Sequence, residues 1–277
     1  MTAVMVNGLP GNMAKEIIQA SIDRGLTIIP FSLTGPGIDT TSLVVDSTEI
    51  TLITPESRDQ QIEEIKKEYP SFISVDFTHP TAVNNNAEFY ISHELPFVMG
   101  TTGGDRDKLL SDVTKAQLYT VIAPNMAKQI VALQAMLEEM QKSYPGVYEG
   151  YTLTVTESHQ KTKADTSGTA KALVDTFNKM GITPISYEDI SKIRTEEEQI
   201  QIMQVPEEFL GGHAYHTYRI EAEDKSTAFE FRHNVNGRRI YAEGTVDAVL
   251  FLAQQVTNQT NQKLFTMIDI LKSGEMH

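Results

Sequence analysis

The chain has 277 residues, of which 40% are hydrophobic and 22% charged, as expected for a globular protein of one or two domains. The formal net charge of −14 argues against a nucleic-acid partner, because phosphate binding needs clustered lysine and arginine. With no cysteine, the chain cannot form disulfides, thiolate metal sites or a cysteine nucleophile. No secretory signal and no apolar run long enough to span a bilayer is recognisable. We therefore expect a cytoplasmic protein without a membrane partner.

The chain opens on a short apolar strand, Ala3–Val6, that runs directly into the turn Gly8-Leu9-Pro10-Gly11-Asn12-Met13. Apolar residues at helical spacing follow as far as Ile22. A strand, a glycine turn and a helix form the geometry in which a pyrophosphate meets a helix N-terminus. The G-x-x-G spacing is only part of the fuller nucleotide-binding pattern, so an ordinary glycine-containing turn remains an alternative.

A second strand is predicted over Leu26–Phe31, and the residues after it bear on cofactor choice. Sites that prefer NAD commonly have an acid at this point to hold the ribose hydroxyls. Here Ser32 and Thr34 supply hydroxyls, and neither an acid nor an arginine lies beside them in the sequence. The pattern therefore allows NADPH or NADH.

Strands and helices continue to alternate as far as residue 126, which predicts a parallel doubly wound sheet. Ligands bind outside the carboxyl ends of the strands in such sheets. Four predicted strand ends carry loops that would line one crevice: Gly8–Met13, Phe77–Pro80, Gly100–Gly103 and Ala123–Met126.

The second half of the chain has a different layout. Ala214–Glu223 and Ser226–Val235 alternate as two strands of an antiparallel hairpin. We predict an α+β domain with an open mixed sheet, whose uncovered face suggests a homo-oligomer, a dimer or tetramer. The charged run that starts at Arg194 is predicted to be a solvated surface segment, and Leu264–Leu271 a helix. The domain border is placed near Lys128.

The stretch Glu157–Lys171 contains most of the candidate catalytic and binding residues of this half. It joins a predicted strand, Tyr151–Thr156, to a predicted helix that starts near Ala170. Ser167, Gly168 and Thr169 lie where unpaired backbone N–H groups at a helix start can bind an anion. An imidazole and two lysines precede them. By itself the stretch is equally well explained as a capped helix behind a solvated basic loop.

Five ordered motifs resemble the dihydrodipicolinate reductase family, the 4-hydroxy-tetrahydrodipicolinate reductases of the diaminopimelate route to lysine. These are Gly8-Leu-Pro-Gly-Asn-Met13, Asp76-Phe-Thr-His-Pro80, Gly100-Thr-Thr-Gly103, Ala123-Pro-Asn-Met126 and Glu157-x-His159-x-x-x-Lys163-x-Asp165-x-Ser167-Gly-Thr-Ala170. The resemblance extends through Phe229–Arg238 and Tyr241–Ala248. Gln160 replaces the second histidine of the common bacterial pattern, and Asp165-Thr166-Ser167 is one residue shorter. Both variants are similar to the plant-type branch.

The resemblance implies a dinucleotide-binding domain of residues 1–127 and 244–277, and a substrate-binding and oligomerisation domain of residues 128–243. It implies hydride transfer from NADPH or NADH to an unsaturated ring that carries two carboxylates. Lys163 would supply the proton, with His159 as partner or alternative donor. Ser167, Gly168, Thr169 and Arg238 would bind the substrate, with Thr102 closing from the first domain. The cofactor-binding positions it implies are Gly8, Pro10, Gly11, Asn12, Met13, Ser32, Phe77, Thr78, Gly100, Thr102, Pro124, Asn125 and Met126.

Two other functions stay open from the sequence, and no metal is expected in any of the three. One is a different two-domain NAD(P)-dependent oxidoreductase of a small carboxylate. The thioester mechanism of aspartate-semialdehyde-type dehydrogenases is excluded, because the chain has no cysteine. The other is a non-enzymatic nucleotide-sensing regulator, which gives no reason for a lysine beside an anion pocket.

Overall fold

The computed structural model describes residues 2–274, and its elements are numbered here in chain order. The helices are α1 Asn12–Asp23, α2 Arg58–Glu68, α3 Val83–Ser92, α4 Arg106–Ala116, α5 Lys128–Ser143, α6 Gly168–Asn178, α7 Glu196–Gln201, α8 Arg239–Thr257 and α9 Met267–Ser273. The strands are β1 Ala3–Asn7, β2 Thr27–Ile28, β3 Phe31–Leu33, β4 Ser42–Val45, β5 Thr48–Ile53, β6 Ile73–Asp76, β7 Phe97–Met99, β8 Thr120–Ile122, β9 Tyr151–His159, β10 Ser191–Ile193, β11 His213–Ala222, β12 Ala228–Asn236 and β13 Leu264–Phe265.

The chain divides into two compact units. The first comprises the chain up to Val131 and from Arg239 onward, and the second is Ala132–Arg238. The sequence placed these borders after residues 127 and 243. Residue 243 lies inside α8, and the second border instead coincides with the start of that helix.

The first unit is built on a six-stranded sheet in the order β13-β8-β7-β6-β1-β2, and all of its strands run parallel. Val4 and Val6 pack into one apolar core and Met5 into another, because successive side chains of a strand point to opposite faces. Burial on both faces is the pattern of a doubly wound sheet, so the predicted fold class is confirmed. The strand order reverses between β1 and β6, where such sheets bind ligands.

Two predicted elements of this unit are wrong in detail. The strand predicted over Leu26–Phe31 is interrupted at Pro30, which has no N–H to donate to a sheet. Its last residue, Phe31, instead begins β3, which joins β5 and β4 in a separate three-stranded sheet. Leu264 was assigned to a helix but lies in β13, where it pairs with Thr120 of β8.

The second unit contains a four-stranded mixed sheet in the order β10-β9-β11-β12. β10 is parallel to β9, whereas β9, β11 and β12 are antiparallel. Leu153 and Val155 of β9 pack with Val174 and Phe177 of α6 in one apolar core. The opposite face carries polar side chains such as Thr154, as predicted for an open sheet covered on one side. Within residues 2–274, no helix combines the length and apolar character needed to cross a membrane.

Gly244 of α8 provides a test of the packing in the first unit. A Cβ atom at this position would lie 1.8 Å from the backbone carbonyl oxygen of Met126, so even alanine requires the backbone to move. Overpacking of this kind costs roughly 1–3 kcal/mol. We expect Gly244→Ala to lower the free energy of unfolding by about this amount in urea titrations.

Gln254→Ala is the matched control, because Gln254 is exposed on the same helix. Without a clash, replacing a helical glycine by alanine would increase stability by about 1 kcal/mol. A loss of stability in Gly244→Ala would therefore result from the clash with Met126. An unchanged or increased stability of Gly244→Ala would contradict the packing described here.

Candidate active site

The glycine turn after β1 has the geometry of an anion site. Gly8 has a φ of +112°, and a Cβ atom there would lie 2.1 Å from the carbonyl oxygen of Phe77. Gly11 precedes the first residue of α1, and no side chain caps this helix start within the described chain. The first turn of α1 also has no acidic residue, so its N–H groups can receive a phosphate. Pro10, Asn12 and Met13 lie on the same turn, the first two exposed and the third half-buried.

A cavity of about 650 Å³ adjoins this turn. Its lining includes Gly8, Leu9, Pro10, Leu33, Thr34, Gly35, Pro36, Pro55, Glu56, Arg58, Thr78, His79, Asn85 and Asn86. Its mixture of apolar, hydroxyl and amide groups beside a helix start fits a dinucleotide.

The end of β3 differs from the sequence interpretation in two respects. Ser32 is fully buried, and its hydroxyl accepts a hydrogen bond from the Leu9 N–H at 3.3 Å, so it supports the glycine turn. A cation also lies on the cavity wall, which the sequence did not reveal. Arg58 of α2 donates to the Asn86 side-chain oxygen at 3.1 Å, and its guanidinium carbon lies 4.6 Å from the centre of the Phe89 ring.

The Asp76 carboxylate at the end of β6 connects the loops around this cavity. It is fully buried and accepts hydrogen bonds from the Tyr90 hydroxyl at 2.8 Å and the Asn86 amide at 2.9 Å. The Thr78 hydroxyl donates to it at 3.0 Å, and the Thr101 hydroxyl donates to it as well. One buried carboxylate therefore fixes the loops that follow two neighbouring strands, β6 and β7.

The remaining predicted cofactor positions lie at the same ends of parallel strands. Gly100 contacts the Phe77 ring so closely that a Cβ atom would lie 2.1 Å from it. Thr102 is exposed in the loop after β7. After β8, Pro124 is exposed, whereas the Asn125 side chain accepts a hydrogen bond from the Ala127 N–H at 2.9 Å. Met126 is buried in the core of the first unit. Its side chain therefore packs in that core.

In the second unit, the predicted stretch centres on the buried carboxylate of Glu157. Glu157 is fully buried near the end of β9. One of its oxygens accepts the Ser167 N–H at 2.9 Å, and the other accepts a hydrogen bond from the guanidinium of Arg194. The prediction of a solvated segment at Arg194 is therefore wrong for this residue, whose side chain is only 17% exposed. The sequence of this charged run does not show that Arg194, its first residue, contacts the buried carboxylate of Glu157.

The start of α6 has the groups expected of a carboxylate site. Ser167 precedes the helix and is buried, and its side chain makes no capping hydrogen bond. Gly168 and Thr169 are the first two helical residues, and N–H groups at these positions have no partner within a helix. Lys163 donates from Nζ to an Asp165 carboxylate oxygen at 2.8 Å. Asp165 thus balances the charge of the predicted proton donor.

Three histidines lie on neighbouring strands of this sheet: His159 and His216 are buried, and His233 is half-buried. His216 Nε2 lies 3.9 Å from a Glu157 carboxylate oxygen. The Nε2 atoms of His159 and His216 are 3.3 Å apart, and the His216 ring stacks on His233 at 4.6 Å. Burial lowers the pKa of His159 to about 3, and the positive charges of Lys163 and Arg194 act in the same direction. Burial likewise lowers the pKa of His216 well below its usual value and that of His233 to about 4. All three rings are therefore uncharged at neutral pH.

Glu157, His159 and His216 bring their ligand atoms within 4.8 Å of one another, which is close enough for a shared metal ion. Lys163 and Arg194 disfavour added positive charge on the two imidazoles. The absence of a metal centre stays a prediction.

Arg238 follows β12 at the end of the sheet where β9 stops and β11 starts. A Cβ atom added to Gly212 would lie 3.2 Å from Arg238 Nη1, so the guanidinium packs against the start of β11. In this strand register, Ala214 lies opposite His159 and His213 lies opposite Asn236. The structure therefore brings Arg238, His159 and the start of β11 to one end of the second sheet.

A parallel sheet with a dinucleotide-type turn, followed by a second unit with a mixed sheet, is typical of two-unit NAD(P)-dependent oxidoreductases. Family models agree with this class. The model described as dihydrodipicolinate reductase, N-terminus, matches residues 2–126, and the one described as dihydrodipicolinate reductase, C-terminus, matches residues 129–271. The chain belongs to the dihydrodipicolinate reductase family. This membership confirms the predicted family, an enzyme that acts on a small molecule, and NADPH or NADH as cofactor.

Individual relatives give the same result. The chain is 45% identical to 4-hydroxy-tetrahydrodipicolinate reductase 1, chloroplastic, of Arabidopsis thaliana, over 99% of this chain and 79% of the relative. It is 44% identical to a probable chloroplastic reductase 1 of Oryza sativa subsp. japonica, with the same coverage of 99% and 79%. The reductase of Lawsonia intracellularis is 23% identical over 97% of this chain and 99% of the relative. Higher identity to the plant proteins agrees with the predicted plant-type branch.

A solved structure has the same fold. Dihydrodipicolinate reductase from Paenisporosarcina sp. TG-14, with dipicolinate bound, aligns with a TM-score of 0.63 and 18% identity. The alignment covers 96% of this chain and 97% of that one.

The predicted cytoplasmic location is wrong on these comparisons. The two Arabidopsis and two rice relatives that cover nearly the whole chain are all named chloroplastic. Composition and the residues of the folded units do not encode the compartment, so the sequence argument had no physical basis for this choice.

The low pKa of His159 predicts how stability depends on pH. The unfolded chain takes up a proton on this side chain below about pH 6.5, whereas the folded chain takes it up only near about pH 3. Stability is therefore lost as the pH falls through this window, by up to about 1.4 kcal/mol per pH unit. His159→Gln removes that contribution. Between about pH 7 and pH 4.5, we therefore expect the wild type to lose roughly 2 kcal/mol more unfolding free energy than the variant loses.

Urea titrations at both pH values measure this difference. His79→Gln, on an exposed loop, controls for the loss of a histidine in general. A difference that stays constant or widens at the lower pH would mean that His159 is not held uncharged in the folded protein.

Proposed function

We propose that the chain reduces 4-hydroxy-tetrahydrodipicolinate to tetrahydrodipicolinate in lysine biosynthesis, with hydride from NADPH or NADH, a proton from Lys163 and loss of the 4-hydroxyl group as water. The observation that carries the proposal is the start of α6, where helix N–H groups without an intrahelical partner follow the loop of Lys163, within the residues that the C-terminal family model matches. In this proposal the first unit is the dinucleotide-binding domain, and the second binds substrate and forms the oligomer.

The first unit contributes the cofactor contacts. The N–H groups at the start of α1 hold the pyrophosphate, with Gly8 and Gly11 allowing close backbone approach. Bound NAD(P)H supplies the hydride. Thr34 and Gly35 line the cavity where a ribose is held in this fold, and Arg58 adds a cation to its wall. The remaining proposed contacts come from the loops after β6, β7 and β8.

The second unit contributes binding and orientation of the substrate. Gly168 and Thr169 donate their N–H groups to one substrate carboxylate, and the Ser167 hydroxyl adds a third donor. Arg238 neutralises negative charge at the same end of the sheet. A dicarboxylate fits this arrangement, because the N–H groups at a helix start and the guanidinium of Arg238 both favour an anion, although the whole chain carries a net charge of −14.

Lys163 is the better candidate for the proton donor. Hydride adds as H⁻, so the ring must also receive a proton, and the donor must carry one at neutral pH. His159, with a pKa of about 3, is uncharged there and is a poor source of that proton. The Lys163 ammonium transfers its proton, becomes an amine and is protonated again from water. His159 acts beside it as a neutral hydrogen-bonding group, oriented by His216.

Lys163→Met tests this assignment. Loss of a general acid typically lowers the rate by about 10²–10⁴-fold, so we expect kcat to fall within this range. The Kd for NADPH and NADH, measured by fluorescence titration, should stay unchanged because those contacts lie in the other unit. The assay follows NADPH or NADH oxidation with freshly made product of the preceding synthase.

Lys161→Met is the control, because Lys161 is exposed and lies two residues away on the same loop. It should turn over at the rate of the wild type. Full activity of Lys163→Met would refute the role of Lys163. A wild-type protein that binds NADPH but never oxidises it with this substrate would refute the activity itself and favour a nucleotide-sensing regulator.

We further propose that the protein is a homo-oligomer, a dimer or tetramer, assembled through the open face of the second sheet. Thr154 lies on this face and is paired in register with Arg219 of β11. Light scattering during size-exclusion chromatography should give the mass of two or four chains. Thr154→Arg places a second guanidinium opposite Arg219 and should lower that mass. A wild-type mass of one chain would contradict the assembly.

A further inference from the structure

Arg194 is bound from several sides by the loop that carries Lys163. Its Nε donates to the Lys163 carbonyl oxygen at 2.8 Å, and Nη1 donates to the Ile193 carbonyl oxygen at 3.0 Å. Nη2 donates to the Glu157 carboxylate and also reaches the Asp165 carbonyl oxygen at 3.4 Å. One side chain therefore connects the end of β9 to the middle of the loop between β9 and α6.

Glu157 completes the connection from the other end of that loop. While one oxygen accepts Arg194, the other accepts the Ser167 N–H at 2.9 Å. This bond occupies the N–H immediately before α6 and leaves those of Gly168 and Thr169 pointing from the helix start. A single buried ion pair thus fixes both the backbone of the proposed proton donor and the start of the proposed carboxylate site.

We infer that Arg194 is a positioning residue for this reaction, acting with Glu157 to hold Lys163 and the α6 N–H groups in one arrangement. The inference rests on the proposed function and adds to it a residue 31 positions away from Lys163 in the chain. Arg194 touches neither the reacting atoms nor the cofactor in this account. Its effect is exerted through the backbone at Lys163 and through Glu157.

The chemistry of arginine explains why this position needs a guanidinium. Its planar group offers five N–H donors in a fixed geometry, enough for a carboxylate and three backbone carbonyls at once. Lysine would keep the charge but could not reach the carbonyls of Lys163 and Ile193 together with Glu157. Methionine would keep much of the volume, remove every donor and leave the Glu157 charge without its partner.

The test compares Arg194→Met and Arg194→Lys with wild type under conditions where circular dichroism shows all of them folded. A displacement of about 1 Å in a reacting group can cost about 10²-fold in rate, so we expect kcat of Arg194→Met to fall roughly 30- to 100-fold. Arg194→Lys should be intermediate. The Kd for NADPH should change less than about twofold, because Arg194 belongs to the other unit.

Two readouts separate positioning from a structural role. Misplacing Lys163 makes proton transfer slower, so the solvent deuterium isotope effect on kcat should increase in Arg194→Met. In Arg194→Ala, added guanidinium ion, at concentrations far below those that unfold the protein, should recover part of kcat, whereas ammonium ion should not. Lys192→Met is the matched control, since Lys192 is exposed and lies two residues earlier on β10.

Each outcome distinguishes a positioning role of Arg194 from a purely structural role. A lower kcat with a larger isotope effect and guanidinium rescue supports the positioning role. A kcat that falls only in proportion to the folded fraction, or an unchanged isotope effect without rescue, overturns it. Inactive wild type would instead refute the proposed function, so the two failures are distinguishable.

Discussion

The arrangement of the second unit depends on one buried ion pair, Glu157 with Arg194. A fully buried carboxylate without a partner would be strongly unfavourable, and loss of one member of such a pair typically costs about 3–5 kcal/mol. Here the pair also spans a loop, because Glu157 accepts the Ser167 N–H and Arg194 donates to the Lys163 carbonyl. The stability of the site and its geometry therefore have the same physical cause.

The first unit uses a similar solution for different chemistry. Parallel strands bring their carboxyl ends to one edge, and the buried Asp76 carboxylate links the loops there through hydroxyl and amide donors. Asp76 has no cation in direct contact among the described residues, whereas Glu157 has Arg194. In both units a buried acid orders the loops, while the proposed ligand-binding groups are mostly backbone N–H groups at helix starts. Such groups give an acidic protein local sites for anions.

Much of the fold was accessible from the sequence, because apolar periodicity and glycine turns are local signals. The alternation of strands and helices predicted the parallel sheet, and five ordered motifs together predicted the family, which the family models confirm. Arg194 and Arg58 were missed because their partners lie far away in the chain, and a charged run looks solvated until its tertiary contacts are known. One strand was predicted through Pro30, although proline has no N–H to donate to a sheet. In the structure Pro30 divides that strand.

We propose that the start of α6 binds a substrate carboxylate beside Lys163. A crystal structure of the protein with dipicolinate bound tests it most directly, because this dicarboxylate binds a reductase of the same fold. We expect carboxylate oxygens within hydrogen-bond distance of the Gly168 and Thr169 nitrogens, with the Lys163 amine facing the ring. Dipicolinate bound elsewhere, with those two N–H groups in contact only with water, would contradict it.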